Sequence, residues 1–169
     1  MRFRIEHRIE APLARVESAV LAPGAVLELA RRVPLVAEAR ELERHERGTI
    51  VERLSHFRTK VKLPMASRVL EGGQLAWHER IAYDRGTHEA RFTIEPALRP
   101  EWRSRFACAG AYRLVASAQA GAQSTLRIVE GELVIRAPLV GPAIERAAIH
   151  RIADVFEAEA EILRERCRG

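Results

Sequence analysis

The feature that most restricts the fold is a strand pattern that runs directly into one long helix pattern near the end of the chain. The joining stretch is VIRAPLVGPAIERAAIHRI, residues 134–152. Gly141 can cap a helix and Pro142 suits the first helical position, with Glu145 in the first turn. A helix over 142–166 would be about 37 Å long at 1.5 Å per residue. Such a helix crosses a whole small domain, so it needs a broad apolar surface to cover.

The chain before this helix consists mainly of alternating segments, which are typical of half-buried strands. Residues 2–10 place Phe3, Ile5, His7 and Ile9 on one face and charged residues on the other. Prolines then delimit two short helices over 13–21 and 25–32. Six further strands are predicted over 35–45, 49–59, 75–83, 87–95, 105–118 and 123–136, with turns at 46–48, 71–73, 84–86 and 120–122.

The order of elements predicts an α+β fold. We expect a curved antiparallel sheet of seven strands that wraps around the long C-terminal helix, with two short helices after the first strand, in a single domain over 1–169. One sheet cannot bury its concave face alone, so the long helix is its natural cover. Gly131 falls on the apolar side of the last strand, where a missing side chain lets the sheet bend or another element approach.

Three stretches carry a resemblance to a known group of proteins. They are Met1-Arg2-Phe3 at the start of a strand, CAGAYRL at 108–114 and VIRAPLVGPAIERAAI at 134–149. The chain resembles the START-like (SRPBCC, helix-grip) superfamily, and within it a bacterial family of unknown function. The resemblance implies a cavity between sheet and helix for an apolar or amphipathic ligand. It implies no particular reaction, because the fold hosts carriers, sensors and enzymes.

The composition indicates a reduced, cytoplasmic protein. No stretch of about 18 apolar residues is long enough to cross a membrane, and the N-terminus lacks the unbroken apolar segment of a signal peptide. Cys108 and Cys167 form no metal-ligand pattern. The net charge is +5, almost all of the positive charge is arginine, and glutamates interrupt it throughout. Codon bias explains this balance better than a nucleic-acid surface does, so we expect no nucleic-acid partner.

A search for chemistry finds no catalytic signature and predicts no cofactor or metal site. His150 and Asp154 lie one helical turn apart, but zinc usually needs three or four ligands. Cys108 is expected to be a buried, unreactive thiol. His7, with Tyr83 or Tyr112, is the only set that an enzyme of the cyclase or dehydratase kind would offer.

The preferred hypothesis is therefore a protein that binds a hydrophobic or amphipathic small molecule, such as a lipid or a polyketide-like compound. The enzyme is one alternative, and a co-chaperone-like interaction module is another. The predicted cavity residues are His7, Phe92, Ile94, Phe106, Tyr112, Val129, Leu133, Ile135, Ile144, Ala148, Ile152 and Val155.

Two predicted loops mix basic and apolar residues. Residues 60–73 carry Lys60 and Lys62 beside Leu63 and Met65, and residues 96–105 carry Trp102 among arginines. Such loops suit transient contact with an anionic membrane surface. Apolar caps on the core with solvated arginines are the other interpretation. The sequence leaves the oligomeric state open.

Overall fold

The elements follow the predicted order. A computed structural model describes residues 1–34, 36–62, 74–119, 122–136 and 141–168. The elements are β1 (Arg2–Ile9), α1 (Leu13–Leu21), α2 (Ala25–Arg32), β2 (Val36–Arg47), β3 (Ile50–Lys62), β4 (Gln74–Asp84), β5 (Glu89–Pro96), α3 (Pro100–Arg103), β6 (Phe106–Gln119), β7 (Ala122–Ile135) and α4 (Gly141–Arg166). The predicted α+β fold with a seven-stranded antiparallel sheet and a long C-terminal helix is confirmed.

The sheet has the strand order β1-β7-β6-β5-β4-β3-β2, and every neighbouring pair is antiparallel. Strands β2 to β7 therefore form a continuous meander, and β1 pairs with the last strand of that meander. The sheet curves, as long meanders do when their strands twist. Its concave side faces α1, α2 and α4.

Most predicted boundaries agree with the structure to within three residues. Both short helices have the predicted bounds, and Gly24 precedes α2 with a φ of 76°, a conformation that suits glycine. The predicted turn at 71–73, residues 120–121 of the turn at 120–122, and residues 137–140 of the stretch that joins the last strand to the long helix lie outside the described residues. The four-residue helix α3 was not predicted.

The core lies between the concave face and the helices. One buried cluster joins β1, β7 and the central strands to α1 and α4, and includes Ile9, Val16, Tyr83, Val129 and Phe156. A second cluster joins α2 to β2, β3 and α4. On β1 the residues predicted to face inward are buried or half-buried and their neighbours are exposed, because side chains alternate along a strand.

Two glycines lie opposite each other on β6 and β7, Gly110 and Gly131. A Cβ atom at 131 would lie 2.4 Å from Cζ of Phe3, and one at 110 would lie 2.5 Å from Cζ of Phe92. Each aromatic ring thus packs where a side chain would otherwise stand. At Gly131, the group that approaches the strand is the ring of Phe3 on β1.

Glu145 has a different role from the predicted one. No acidic residue lies in the first turn of α4. The Glu145 carboxylate instead accepts a 2.8 Å hydrogen bond from the backbone N–H of Ile135, which lowers the pKa of Glu145. This bond fastens the first part of α4 to the end of β7, so it helps to set the direction in which the helix returns across the sheet.

Candidate functional site

An interior cavity lies between the concave face of the sheet and helices α1, α2 and α4. Its volume is about 50 Å³. One water-sized position needs roughly 10–15 Å³, so the interior cavity offers about three to five such positions. Its lining residues are Val20, Ala25, Val26, Leu29, Arg53, Glu79, Ile81, Phe92, Tyr112, Arg127, Phe156, Glu159, Ile162 and Leu163.

A second concavity, of about 420 Å³, is lined by residues of strands β2 to β5 and shares Arg53, Ile81 and Phe92 with the interior cavity. Exposed charged side chains such as Glu43, Glu52, Arg80 and Arg91 dominate its lining. It is a shallow surface depression, whereas the interior cavity is bounded mainly by buried apolar residues. The interior cavity is therefore the better candidate for a small-molecule site.

Four charged side chains are among the residues that line the interior cavity. Arg53, Glu79 and Arg127 come from β3, β4 and β7, and Glu159 comes from α4. We call these four residues the charged wall. The three strand residues point inward because each occupies the same alternating face as buried apolar neighbours in its strand. Charged groups in such a position are uncommon, because removing an ion from water costs several kcal/mol.

Arg127 is the most enclosed member of the charged wall, with 3% of its surface exposed. Its Nη2 donates a 2.5 Å hydrogen bond to Oε2 of Glu159. Its guanidinium carbon lies 5.2 Å from the ring centre of Tyr112 and 5.3 Å from that of Phe156. The two rings provide cation–π contacts, which partly replace the water that the charge has lost.

Glu79 and Arg53 form a looser pair. Nη2 of Arg53 lies 3.8 Å from Oε2 of Glu79. Burial raises the pKa of Glu79 to about 7, and the charge of Arg53 opposes this rise without cancelling it. Since a distance of 3.8 Å is too long for a strong hydrogen bond, the pair does not fully compensate the cost of burying the carboxylate. Near neutral pH, Glu79 can therefore carry a proton.

Several donors of the charged wall have no hydrogen-bond acceptor among the described residues. They are Nε and Nη1 of Arg127 and Nε of Arg53. The large majority of buried side-chain polar atoms in proteins have a hydrogen-bond partner, so unpaired donors on charged groups are unusual. Because each of these atoms is shielded from water, a polar group must displace a neighbouring side chain before it can accept a hydrogen bond from them.

Two of the predicted cavity residues, Phe92 and Tyr112, line the interior cavity. Val129 and Leu133 are fully packed in the core, and Ile94, Ile152 and Val155 pack against its edges. Phe106, Ile135 and Ala148 are half-buried elsewhere on the sheet and helix. The side chain of Ile144 lies outside the described part of the chain. A role in ligand binding stays a prediction for all of these residues.

His7 is buried on the concave face, as expected, but contacts the helix beside the interior cavity. Its Nε2 lies 3.1 Å from Oε2 of Glu157, close enough for an ion pair but without hydrogen-bond geometry among the described residues. Burial lowers the pKa of His7, and the nearby charge of Arg127 adds to this effect. The neutral imidazole is therefore the favoured form in the folded protein.

The tyrosines proposed alongside His7 have other partners. The Tyr83 hydroxyl donates a 2.7 Å hydrogen bond to Oε1 of Glu17 in α1, and Nδ1 of His88 lies 2.8 Å from the same oxygen. Burial raises the pKa of Tyr112 to about 12. His7 and Tyr83 thus contact carboxylates of two different helices, and the structure does not bring them together as one acid–base set.

The remaining sequence candidates occupy varied surroundings. Cys108 is buried and its pKa is raised to about 11 by burial, as an unreactive thiol requires. Asp154 binds Arg151 at 3.2 Å, and His150 is exposed. Among the described residues, no group of three or more His, Cys, Asp or Glu side chains is arranged to hold a metal ion.

The two predicted membrane-contact loops are only partly described. Residues 63–73 lie outside the described ranges. In the other loop, Leu98 is buried, Trp102 is half-buried, and the guanidinium of Arg105 lies 4.9 Å from the Trp102 ring centre. Membrane contact stays a prediction. No helix in the described ranges is long and apolar enough to cross a membrane.

The charged wall was not predicted, because charged residues of a half-buried strand are expected on its outer face. The alternation nevertheless contains the signal. Each strand residue of the charged wall lies two positions from an apolar residue and so shares its face of the strand. The neighbours are Val51 for Arg53, Trp77 and Ile81 for Glu79, and Val129 for Arg127. A charged residue that interrupts the apolar face of a strand was the indication to follow.

Comparisons with known proteins support the fold. The family described as "Protein of unknown function (DUF2505)" matches residues 4–167. The crystal structure of TTHA0849 from Thermus thermophilus is similar with a TM-score of 0.62 and 16% identity, covering 99% of this chain and 97% of that one. The crystal structure of Ara h 8.0201 is similar with a TM-score of 0.58 and 14% identity, covering 96% and 97%. These similarities identify the helix-grip fold. No curated protein matches the chain.

Proposed function

The chain belongs to the DUF2505 family, whose function is unknown, and we propose that it binds a small amphipathic molecule in the interior cavity between the sheet and the helices. The observation that carries this proposal is the charged wall. The polar end of the ligand would contact the charged wall. Its apolar part would contact Ile81, Phe92 and Phe156 on the other sides of the cavity.

The cost of the charged wall supports a role in binding. Replacing a buried group of charges by packed apolar residues is often neutral or stabilising, by about 1–4 kcal/mol. A chain that needed only a stable core would gain little from two arginines and two glutamates in this place. Unpaired donors on Arg127 are easier to understand if a ligand supplies the acceptor.

The size of the interior cavity limits what it can hold without a structural change. About 50 Å³ accommodates a polar group and a few further atoms. A longer molecule must extend past Val20, Ala25 and Glu159, which are half-buried and lie where the lining reaches solvent. Lipid-like or polyketide-like ligands, which the sequence analysis favoured, would therefore also require α2 or α4 to move outward.

A cavity-filling pair of variants tests the proposal. Backbone NMR spectra would be recorded during titration with hexan-1-ol, and shifts are expected at Ile81, Phe92 and Phe156. Leu29→Phe places extra volume in the interior cavity and should weaken binding at least tenfold. Leu27→Phe makes the same change on the same helix at a side chain that is 50% exposed, so it should leave binding unchanged.

The proposal is wrong if saturating hexan-1-ol shifts none of these signals. It is also wrong if Leu29→Phe and Leu27→Phe bind hexan-1-ol equally well, because binding would then take place outside the interior cavity.

A further inference from the structure

We propose, building on the proposed function, that the charged wall binds the carboxylate of an amphipathic monocarboxylic acid, with Arg127 as the main contact and Arg53 as the second. The alkyl part of the acid would lie against Phe92 and Phe156. This names the chemical class of the ligand, which the presence of a cavity alone does not do.

The surroundings of Arg127 leave donors available to an anion. The rings of Tyr112 and Phe156 lie beside the guanidinium, and Glu159 accepts a hydrogen bond from Nη2. Nε and Nη1 have no acceptor among the described residues, although each is fully buried. Guanidinium donors lie in the plane of the group and match the two oxygens of a carboxylate. A carboxylate that enters the interior cavity and displaces the side chains around Arg127 can therefore satisfy donors that the protein leaves unpaired.

The charge balance also favours a single negative charge. Two arginines face Glu159 and Glu79, and the second of these carboxyls lies only 3.8 Å from Arg53 without a hydrogen bond to it in the described structure. Because burial disfavours the ionised form of Glu79, the charged wall with Glu79 protonated has two positive charges and one negative charge. One monovalent anion makes this group neutral, whereas a cationic ligand would add to the excess.

The apolar lining restricts the anion further. Phe92, Phe156, Ile162 and Leu163 border the interior cavity, so a fully hydrated inorganic ion would lose its water without a compensating contact on that side. A carboxylate with an attached alkyl chain has both the polar and the apolar surface that the cavity presents. The half-buried side of the cavity gives the chain a route outward.

The test compares three probes that share one alkyl chain: hexanoate, hexan-1-ol and hexylamine. Binding is measured by NMR titration at pH 6, where hexanoate is ionised. We expect hexanoate to bind at least tenfold more tightly than hexan-1-ol, and hexylamine to bind more weakly than either. Arg127→Met should abolish the preference for hexanoate while hexan-1-ol still binds.

A second variant keeps the test decisive if Arg127→Met does not fold. Glu159→Gln removes the carboxylate that competes for Arg127, at a side chain that is 21% exposed, so it should increase the preference for hexanoate severalfold. A purely structural role of the Arg127–Glu159 pair would not produce this gain. Arg164→Met removes a positive charge from the same helix outside the cavity lining and serves as the matched control, with no change in preference expected.

The possible results separate the two proposals. If hexan-1-ol and hexanoate bind equally well, or if Glu159→Gln leaves the preference unchanged, the carboxylate site is overturned while ligand binding in the interior cavity stands. If none of the three probes binds, both proposals are overturned.

Discussion

The sharpest prediction concerns Glu79, whose carboxyl is buried within the charged wall. Burial raises its pKa from an ordinary value of about 4.5 to about 7. A carboxyl whose pKa is raised in the folded state makes its full contribution to stability when the pH is below its pKa in the unfolded protein. That contribution is lost as the pH rises through the folded value. Each pKa unit corresponds to about 1.4 kcal/mol, so the complete effect is about 3 kcal/mol, most of it between pH 5 and pH 8.

The substitution Glu79→Gln removes this titration with little change of shape. Urea unfolding of both proteins, followed by circular dichroism at pH 5, 6, 7 and 8, gives the free energy of unfolding at each pH. The wild-type value minus the variant value should fall by about 2–3 kcal/mol from pH 5 to pH 8. The absolute difference also contains the lost pairing with Arg53, so the change with pH is the informative quantity.

Subtracting the free energy of unfolding of Glu79→Gln from that of the wild type removes the contributions of groups that titrate in both proteins. His7 is the most important of these, because its lowered pKa gives a dependence of the opposite sign in the same pH range. Glu95→Gln, the same substitution on the exposed face of β5, is the matched control, and its profile is compared with that of Glu79→Gln. Parallel profiles for the wild type and Glu79→Gln, within about 0.5 kcal/mol, would refute the reasoning about burial.

Three further substitutions test other parts of the structure by urea unfolding. Gly110→Ala should cost about 3 kcal/mol, because its Cβ atom would lie 2.3 Å from a backbone oxygen. Gly86→Ala should cost less than about 1 kcal/mol, because the nearest group to its Cβ atom is the half-buried side chain of Asp84, at 3.2 Å; similar costs for the two substitutions would contradict the packing described. As the pH falls from about 6.5 to 5, the wild type should lose more free energy of unfolding than His7→Gln, because the buried neutral histidine of the wild type resists protonation in the folded state. Equal losses in the two proteins would show that His7 is not desolvated. Tyr83→Phe should lower the free energy of unfolding by about 1–2 kcal/mol, since the hydroxyl donates to the Glu17 carboxylate, and an unchanged urea midpoint would mean that this bond contributes nothing.

The sequence was sufficient for the fold because its signals are local. The two short helices are delimited by prolines and a glycine, and both have the predicted bounds. The strands alternate between apolar and charged residues over enough positions to be recognised, and the long C-terminal helix repeats its apolar residues over many turns. The helix α3 was missed because four residues are too few to establish any period.

The candidate site could be predicted only in part, because it depends on contacts between distant elements. Phe92 and Tyr112 were found by the rule that apolar residues face the interior. The same rule excluded Arg53, Glu79 and Arg127, although each has apolar neighbours in the two-residue period of its strand. Glu159 gave no local signal. Its role depends on the position of α4 above β7, which no short stretch of sequence specifies.

The glycine pair on β6 and β7 has a consequence for the volume of the interior cavity. The ring of Phe92 rests on Gly110 and also borders the interior cavity, so the depth of the cavity depends on a position beneath the ring. A methyl group at 110 would push the ring into the interior cavity and reduce its volume. Under the proposed function, the size of the ligand would then depend on a residue that does not line the cavity.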